Sequence, residues 1–440
     1  MANVMPFKGL RYNTQKVGEL NEVTTPPYDI ISPEQQNAYY AKHPNSVIRL
    51  EYGKEFEADT VTENRYTRAA AFLKEWIDEN VLQFEDTDCM YLYEQKFSIN
   101  GQEMTYRGFI SLVELEEFSK GIVLPHEETL SKAKADRFNL MSTTYSNFSQ
   151  VYCLYIDEQR NLKDLISGIT SASNPDISFV SDEDILQNVW IVRDASIISQ
   201  IRDAFAAKQL FIADGHHRYE TALNFRNKMR EENPGWTGDD LFNYVMMMLV
   251  DMDDAGLVVF PTHRMVRDLP QFDEIRLVSE LKDNFDIDKI IVERNADNLC
   301  NAMEQDLLTL KETKVFAMYT GSDYYYRLRL KDTSVMQDFL PDKSEAYRNL
   351  DVSVLHTAIL EKSLGINQEN MANQKNLTYT RDAKEAIMGV RSGEYQCAFI
   401  LNATKVHEIK DVSLAGEKMP QKSTYFYPKL VTGIVMNKFK

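Results

Sequence analysis

Apolar and polar residues alternate with period two across residues 90–115, on both sides of Asn100-Gly101, which predicts an antiparallel hairpin closed by a tight turn. Residues 58–80 change to helical spacing, with Tyr66, Ala69, Ala70, Leu73, Trp76 and Ile77 on one side. Ser32-Pro33-Glu34 reads as an N-cap, a first-turn proline and a helix start. Short apolar runs at 151–156, 189–192 and 210–212 alternate with helix-like stretches such as 195–207, the pattern of a mixed α/β layer. A further helix is predicted near 239–250, with Met246, Met247 and Met248 as core packing. Residues 258–264 read as a strand that runs into His263-Arg264. Beyond it, strands at 289–292, 315–319 and 324–330 among helices predict a separate α/β subdomain. Helices near 351–363 and 381–391 and a strand at 397–401 follow. The expected fold class is therefore mixed α/β (α+β). Its main domain is 1–270, carrying the PPYD, HEET and DGHHR stretches, its second α/β subdomain is 271–400, and 401–440 packs back on the main domain.

Composition narrows the class. At 440 residues the chain has room for two or three cores, and 43% hydrophobic with 26% charged residues is ordinary for a globular protein. The 49 basic and 67 acidic residues give a formal charge of −18, which disfavours broad binding to nucleic acid or anionic membranes. Cys89, Cys153, Cys300 and Cys397 are far apart and form no CxxC pair, so neither a zinc ribbon nor a disulfide framework is indicated. The N-terminus lacks a basic region followed by an apolar stretch, and no run reaches the length of a membrane span. A cytoplasmic location is expected. Oligomeric state is not legible.

The chemistry concentrates in Asp214-Gly215-His216-His217-Arg218. An apolar strand-like run ends there, Gly215 permits a tight turn, and Tyr219, Ala222 and Leu223 begin a helical pattern. A helix N-terminus presents unpaired N–H groups and a positive dipole end, suited to phosphate or carboxylate. Arg218 adds a planar fork, His216 and His217 add donors, and Asp214 can accept a proton or meet a metal ion. The structural alternative is that Asp214 is only an N-cap. It leaves His-His-Arg unexplained.

Three other stretches carry candidate residues. Pro26-Pro27-Tyr28-Asp29 is a stiff segment, either a connector or a pocket lip bearing Tyr28 and Asp29. His126-Glu127 opens like HExxH, but Leu130 occupies the second histidine position, so the zinc-protease motif is absent. What remains is a charged loop in which Lys132, Lys134 and Arg137 face phosphates and His126 or Glu127 moves a proton, or which is simply a solvated face. In the tail, Lys422, Ser423 and Thr424 can contact phosphate, or the segment packs against the main sheet. His263 and Arg264 form a second His-Arg pair, explained by a shared anionic pocket or by a buried salt bridge at Arg264. Asp251, Asp253 and Asp254 resemble a calcium loop, but Ala255 and Thr262 stand at ligand positions, so an EF-hand is rejected. There is no GxxxxGK[ST], GxGxxG or GxSxG.

Taken together, PPYDIIS, LPHEETLSKAKADR, FIADGHHRYETAL, FPTHR and KSTYFYPKLVTG resemble the bacterial and archaeal family called domain of unknown function 1015 over nearly the whole chain. Asp214 to Arg218 alone also resembles the phosphate motif of the ParB and sulfiredoxin superfamily, especially its free-serine kinases. That likeness implies a mixed-sheet nucleotide-binding core with ATP or ADP and Mg²⁺ as cofactors. It also implies His217 and Arg218 on nucleotide phosphates and Asp214 beside the transferred group or its metal. Sulfiredoxins carry a reactive Cys where His216 stands, so sulfinic-acid reduction is not expected. The leading expectation is a phosphotransferase acting on a small hydroxyl compound, possibly free L-serine, with Asp214 or Glu127 orienting the acceptor. The alternatives are a non-catalytic nucleotide or phosphometabolite sensor, and a metal-dependent hydrolase built on His126, His216 and His263.

Overall fold

The computed structural model describes residues 1–129, 131–292 and 295–439; Leu130 lies outside them. The chain divides into two compact units. The first comprises Met1–Pro125, Thr129–Leu257 and Pro428–Lys440, and the second comprises His126–Glu128 and Val258–Tyr427. The first unit's central piece ends at Leu257, and the 401–440 segment is shared, with 401–427 in the second unit and 428–440 in the first.

Among the described residues the main sheet of the first unit has nine strands: β1 (Val4–Met5), β2 (Met90–Ile99), β3 (Gln102–Glu114), β4 (Val123–Leu124), β5 (Val151–Tyr155), β6 (Ile177–Val180), β7 (Leu186–Val192), β8 (Leu210–Asp214) and β9 (Tyr244–Asp251). They form one sheet in the order β4-β8-β5-β9-β3-β2-β7-β6, with β1 paired to β3. The β2–β3 hairpin turns at Asn100-Gly101, both in left-handed backbone, as their sequence predicts. The sheet is mixed: β9 runs parallel to β5 and antiparallel to β3. β9 corrects the expected helix near 239–250. Tyr244 to Val250 are all buried, so both faces of the strand are covered and no period-two alternation marks it.

Helices α1 (Pro33–Lys42), α2 (Arg65–Asp78), α3 (Ser131–Thr144), α4 (Asn161–Ala172), α5 (Ala195–Phe205) and α6 (His216–Glu232) belong to this unit. Ser32 and Gln35 close a capping box on α1, the role expected of Ser32. α4, α5 and α6 bury Leu162, Ile201, Phe205, Tyr219, Leu223 and Phe225 against Cys153, Ile212, Met247 and Leu249 of the sheet. Burying each such side chain contributes about 1.5–3 kcal/mol. That core fixes where β8 ends and α6 begins.

The second unit is a six-stranded antiparallel sheet of β10 (His263–Val266), β11 (Phe285–Ile291), β12 (Val315–Tyr319), β13 (Tyr324–Leu330), β14 (Leu377–Thr380) and β15 (Cys397–Leu401). Their order is β11-β13-β12-β15-β10-β14. Helices α7 (Ala296–Thr309) and α8 (Ala383–Arg391) place Leu299, Met303, Ala386 and Ile387 against Ala317, Tyr325, Ala398 and Ile400. Val258–Val259 forms a short strand of its own, and His263-Arg264 opens the next one, β10. The predicted helix over 351–363 is observed from Asp351 to Glu361, and its C-terminal part, Leu355–Glu361, is wound as a π-helix. The mixed α/β class read from the sequence is the class observed. No helix among the described residues is long and apolar enough to cross a membrane.

Candidate functional site

β8 pairs with β5 through Phe211 and Ile212, and its register then slips between Ile212 and Asp214. Such a bulge bends a strand and redirects its last side chain. Gly215 follows with φ +89°, in the left-handed region that glycine occupies without a Cβ clash. A Cβ there would lie 2.8 Å from Arg218 Nε, so the missing side chain also lets the guanidinium fold back over the turn. No side chain caps α6, and its first intrahelical bond is Tyr219 N–H to Gly215 O at 3.0 Å. The N–H groups before Tyr219 have no carbonyl within the helix to bond.

Arg218 donates one nitrogen to Gln150 O and another, at 3.3 Å, to Asp214 Oδ2. Its Nε is buried with no hydrogen-bond partner, as are both polar atoms of the Gln150 side chain. Lys429 brings its ammonium to 3.3 Å from Asp214 Oδ1. Burial alone raises a carboxyl pKa, but the Lys429 and Arg218 charges outweigh it and hold Asp214 below the usual carboxylate range. Asp214 is an anion between two cations. It is a weak candidate for a proton acceptor, and among the described residues no group of three or more His, Cys, Asp or Glu is placed to hold a metal ion.

The other predicted residues of the first unit gather nearby. His217 is half-buried, and burial lowers its pKa; Asp29 and Glu220 pull it upward, Lys134 and Arg218 downward. Lys134 is ion-paired to Glu220 at 2.8 Å, and Thr129 Oγ1 donates to the same carboxylate at 2.7 Å. Tyr28 lies face-on to Arg137, with the guanidinium carbon 3.9 Å from the ring centre. Lys132, Lys134 and Arg137 were expected on a loop but ride on α3, because Ser131 to Thr144 contains no glycine or proline to break a helix. Lys132 is exposed. Arg137 is buried and held by Glu51 at 3.3 Å and Asp136 at 2.7 Å, so its charge is already paired. His216 is buried at the start of α6.

The remaining candidates belong to the second unit. His126 is buried with Nε2 3.1 Å from Thr424 Oγ1, and its carbonyl accepts from Met419 N–H at 2.7 Å. Glu127 is half-buried beside it in the chain. Arg264 is fully enclosed, and its three nitrogens donate to His356 Nε2, Thr262 O and Lys422 O. Where a buried salt bridge was one of two alternatives, neutral acceptors hold Arg264. Burial pulls the Arg264 pKa down to about 10, so it remains charged at neutral pH. His263 is buried too, and desolvation followed by Arg264 pulls its pKa down to about 4. Ser423 donates to Pro420 O, and Lys422 contributes its carbonyl rather than its ammonium.

Three residues of the first unit were not singled out from the sequence: Lys429, Glu51 and Gln150. Lys429 lies in the KSTYFYPKLVTG stretch, beyond Lys422, Ser423 and Thr424. Glu51 and Gln150 sit in no recognisable motif.

The chain matches the model of the family described as "Protein of unknown function (DUF1015)" over residues 4–353, and it belongs to that family. No curated protein matches it. Solved structures are similar at low identity. A free serine kinase in complex with AMP is 13% identical, covering 74% of this chain and 90% of that one, with a TM-score of 0.33. SbnI with C-terminal truncation from Staphylococcus aureus is 10% identical over 73% of this chain and 85% of that one, with a TM-score of 0.33. A conserved hypothetical protein from Pyrococcus furiosus is 13% identical over 72% and 90%, with a TM-score of 0.31.

Proposed function

We propose that the first unit binds the phosphates of ATP or ADP at the β8–α6 turn and transfers a phosphoryl group to a small hydroxyl compound, with free L-serine the leading acceptor. The observation that carries the reading is unused hydrogen-bonding capacity beside charge. Arg218 Nε and the Gln150 amide are buried without partners next to an uncapped helix N-terminus, with Lys429 alongside. Buried polar groups in folded proteins are almost always satisfied, so such a cluster points to an absent ligand. Donors and cations at a helix start fit phosphate oxygens.

The residues would divide the work as follows. Arg218, His217 and the first N–H groups of α6 would hold phosphate oxygens, and Lys134 would add charge from α3. Asp214 would orient the acceptor or Lys429 rather than remove a proton, given its depressed pKa. The nucleotide would supply the phosphoryl group and leave as ADP or AMP, with the acceptor's hydroxyl proton released to solvent. Mg²⁺ would arrive with it, since one carboxylate already held by two cations does not make a divalent site of its own. The acceptor and the cofactor rest on the motif resemblance of Asp214 to Arg218.

Phosphorus NMR of the protein with Mg²⁺, ATP or ADP, and an amino-acid pool that includes serine tests the proposal. A new phosphomonoester signal is expected, reduced by a factor of at least 10³ in rate in Arg218→Ala, the scale of a phosphoryl-transfer arginine. His217→Gln, at a half-buried position, guards against a folding defect in that variant. Unchanged turnover in both variants refutes the site. Nucleotide resonances broadened without any product would favour the phosphometabolite sensor instead.

A further inference from the structure

The second unit holds a cavity of about 310 Å³ whose walls include His356, Tyr379, Lys343, Lys418, Met371 and Met419. His356 is 7% exposed and stands on the π-helical stretch Leu355–Glu361, a geometry that costs regular hydrogen bonding and recurs at functional sites. Its Nε2 accepts from Arg264 Nε at 3.2 Å. An arginine can only donate, so Nε2 carries no proton and the neutral ring must carry it on Nδ1. No second hydrogen bond to the ring forms among the described residues. Burial and the neighbouring Arg264 charge hold its pKa well below the usual value, which keeps this tautomer at neutral pH.

Tyr379 supplies a second donor. Its hydroxyl is buried without a hydrogen-bond partner, and its ring lies 5.4 Å from the Arg264 guanidinium carbon. Behind both donors stands Arg264, whose hydrogen-bond partners are neutral. The rim holds two ion pairs, Lys418 with Glu128 at 3.2 Å and Lys343 with Glu417 at 3.6 Å, and one further exposed carboxylate, Glu361. The sign of the ligand is set by the donor-lined floor and the buried cation, not by the rim. Met371 and Met419 give the cavity an adaptable apolar wall.

We infer that this cavity is a ligand site of its own, which takes a small molecule joining an oxyanion head, carboxylate or phosphate, to a short apolar body, with His356 Nδ1–H and the Tyr379 hydroxyl donating to the head. It is independent of nucleotide binding in the first unit.

The test titrates the full chain with benzoate and with phenyl phosphate, which share a ring and differ in the oxyanion, and with benzyl alcohol as the uncharged match. Calorimetry gives affinity and stoichiometry. Side-chain ¹⁵N–¹H NMR follows the His356 Nδ1–H resonance, assigned by its loss in His356→Gln. Saturable binding of one anion per chain is expected, at least tenfold tighter than the alcohol and accompanied by a shift of that resonance. Whichever anion binds more tightly identifies the head. Tyr379→Phe keeps the ring against Arg264 and removes one hydrogen bond to a charged acceptor, so it should weaken binding about tenfold or more. If His356→Gln does not fold, calorimetry on Tyr379→Phe decides alone. The inference is overturned if neither anion saturates, if benzyl alcohol binds equally well, or if Tyr379→Phe leaves the isotherm unchanged.

Discussion

Lys429 is the side chain on which the charge state of Asp214 most depends, and replacing it with methionine isolates that role. Lys429→Met keeps the aliphatic stem and removes the ammonium, leaving the backbone carbonyl that accepts from Gln95 in place. At 3.3 Å and an effective dielectric of ~20, the pair attracts by about 5 kcal/mol before desolvation is counted. Both side chains are largely buried, at 10% and 21% exposure, so the desolvation cost is substantial and offsets much of that attraction. Arg218 still faces Asp214 in the variant, which limits the loss further. A coupling of about 1–3 kcal/mol remains.

The assay is a double-mutant cycle with Asp214→Asn, read by urea unfolding and by hydrogen exchange over residues 210–218. Exchange is needed because a two-unit chain need not unfold in one step. The pH dependence supplies a second readout. A depressed carboxyl contributes stability that is present above its unfolded value of about 3.9 and lost as pH falls through its lower folded value. The gap between wild type and Lys429→Met should therefore be widest near neutrality and close in strong acid. Additive single-variant effects, within about 0.5 kcal/mol, would refute the idea that Lys429 neutralises Asp214.

Three other expectations follow from the same structure. Gly215→Ala forces a Cβ into the left-handed region and against Arg218, so a loss of about 1–2 kcal/mol in thermal or urea stability is expected, together with weaker nucleotide binding. His263 is held near pKa 4 against about 6.5 unfolded, so stability should fall as pH drops between those values, by about 3 kcal/mol in total; His263→Gln should flatten that limb of a pH–stability curve. Met247→Ala removes a fully buried side chain from the central strand of the first unit and should cost about 2–5 kcal/mol by urea denaturation.

Local signals carried the hairpin at Asn100-Gly101, the cap at Ser32 and the strand–turn–helix at Asp214 to Arg218, because each depends on residues a few positions apart. β9 was read as a helix for a physical reason: a strand covered on both faces shows no alternation, and its eight residues resemble a buried helical run. The candidate site was half legible. Tyr28, Asp29, Lys134 and Arg218 all appear among the electrostatic neighbours of one another or of His217. Lys429 was not legible, since nothing local to it announces a carboxylate on a distant strand. Arg264 was recognisable as chemically unusual, but its neutral partners, above all His356, come from a segment whose composition is that of an ordinary apolar helix.

Asp214 and Lys429 stand at opposite ends of a long excursion, since the second unit occupies 258–427 between them. During synthesis at ~5–20 residues per second, the roughly two hundred intervening residues take about 10–40 s to emerge. For that interval Asp214 is without the ammonium of Lys429, the first of the two charges that hold its pKa down. A nascent chain stalled before residue 429 should therefore be unable to complete the anion site, however well the preceding strands have folded. The pairing ties the chemistry of the first unit to the completed synthesis of the second.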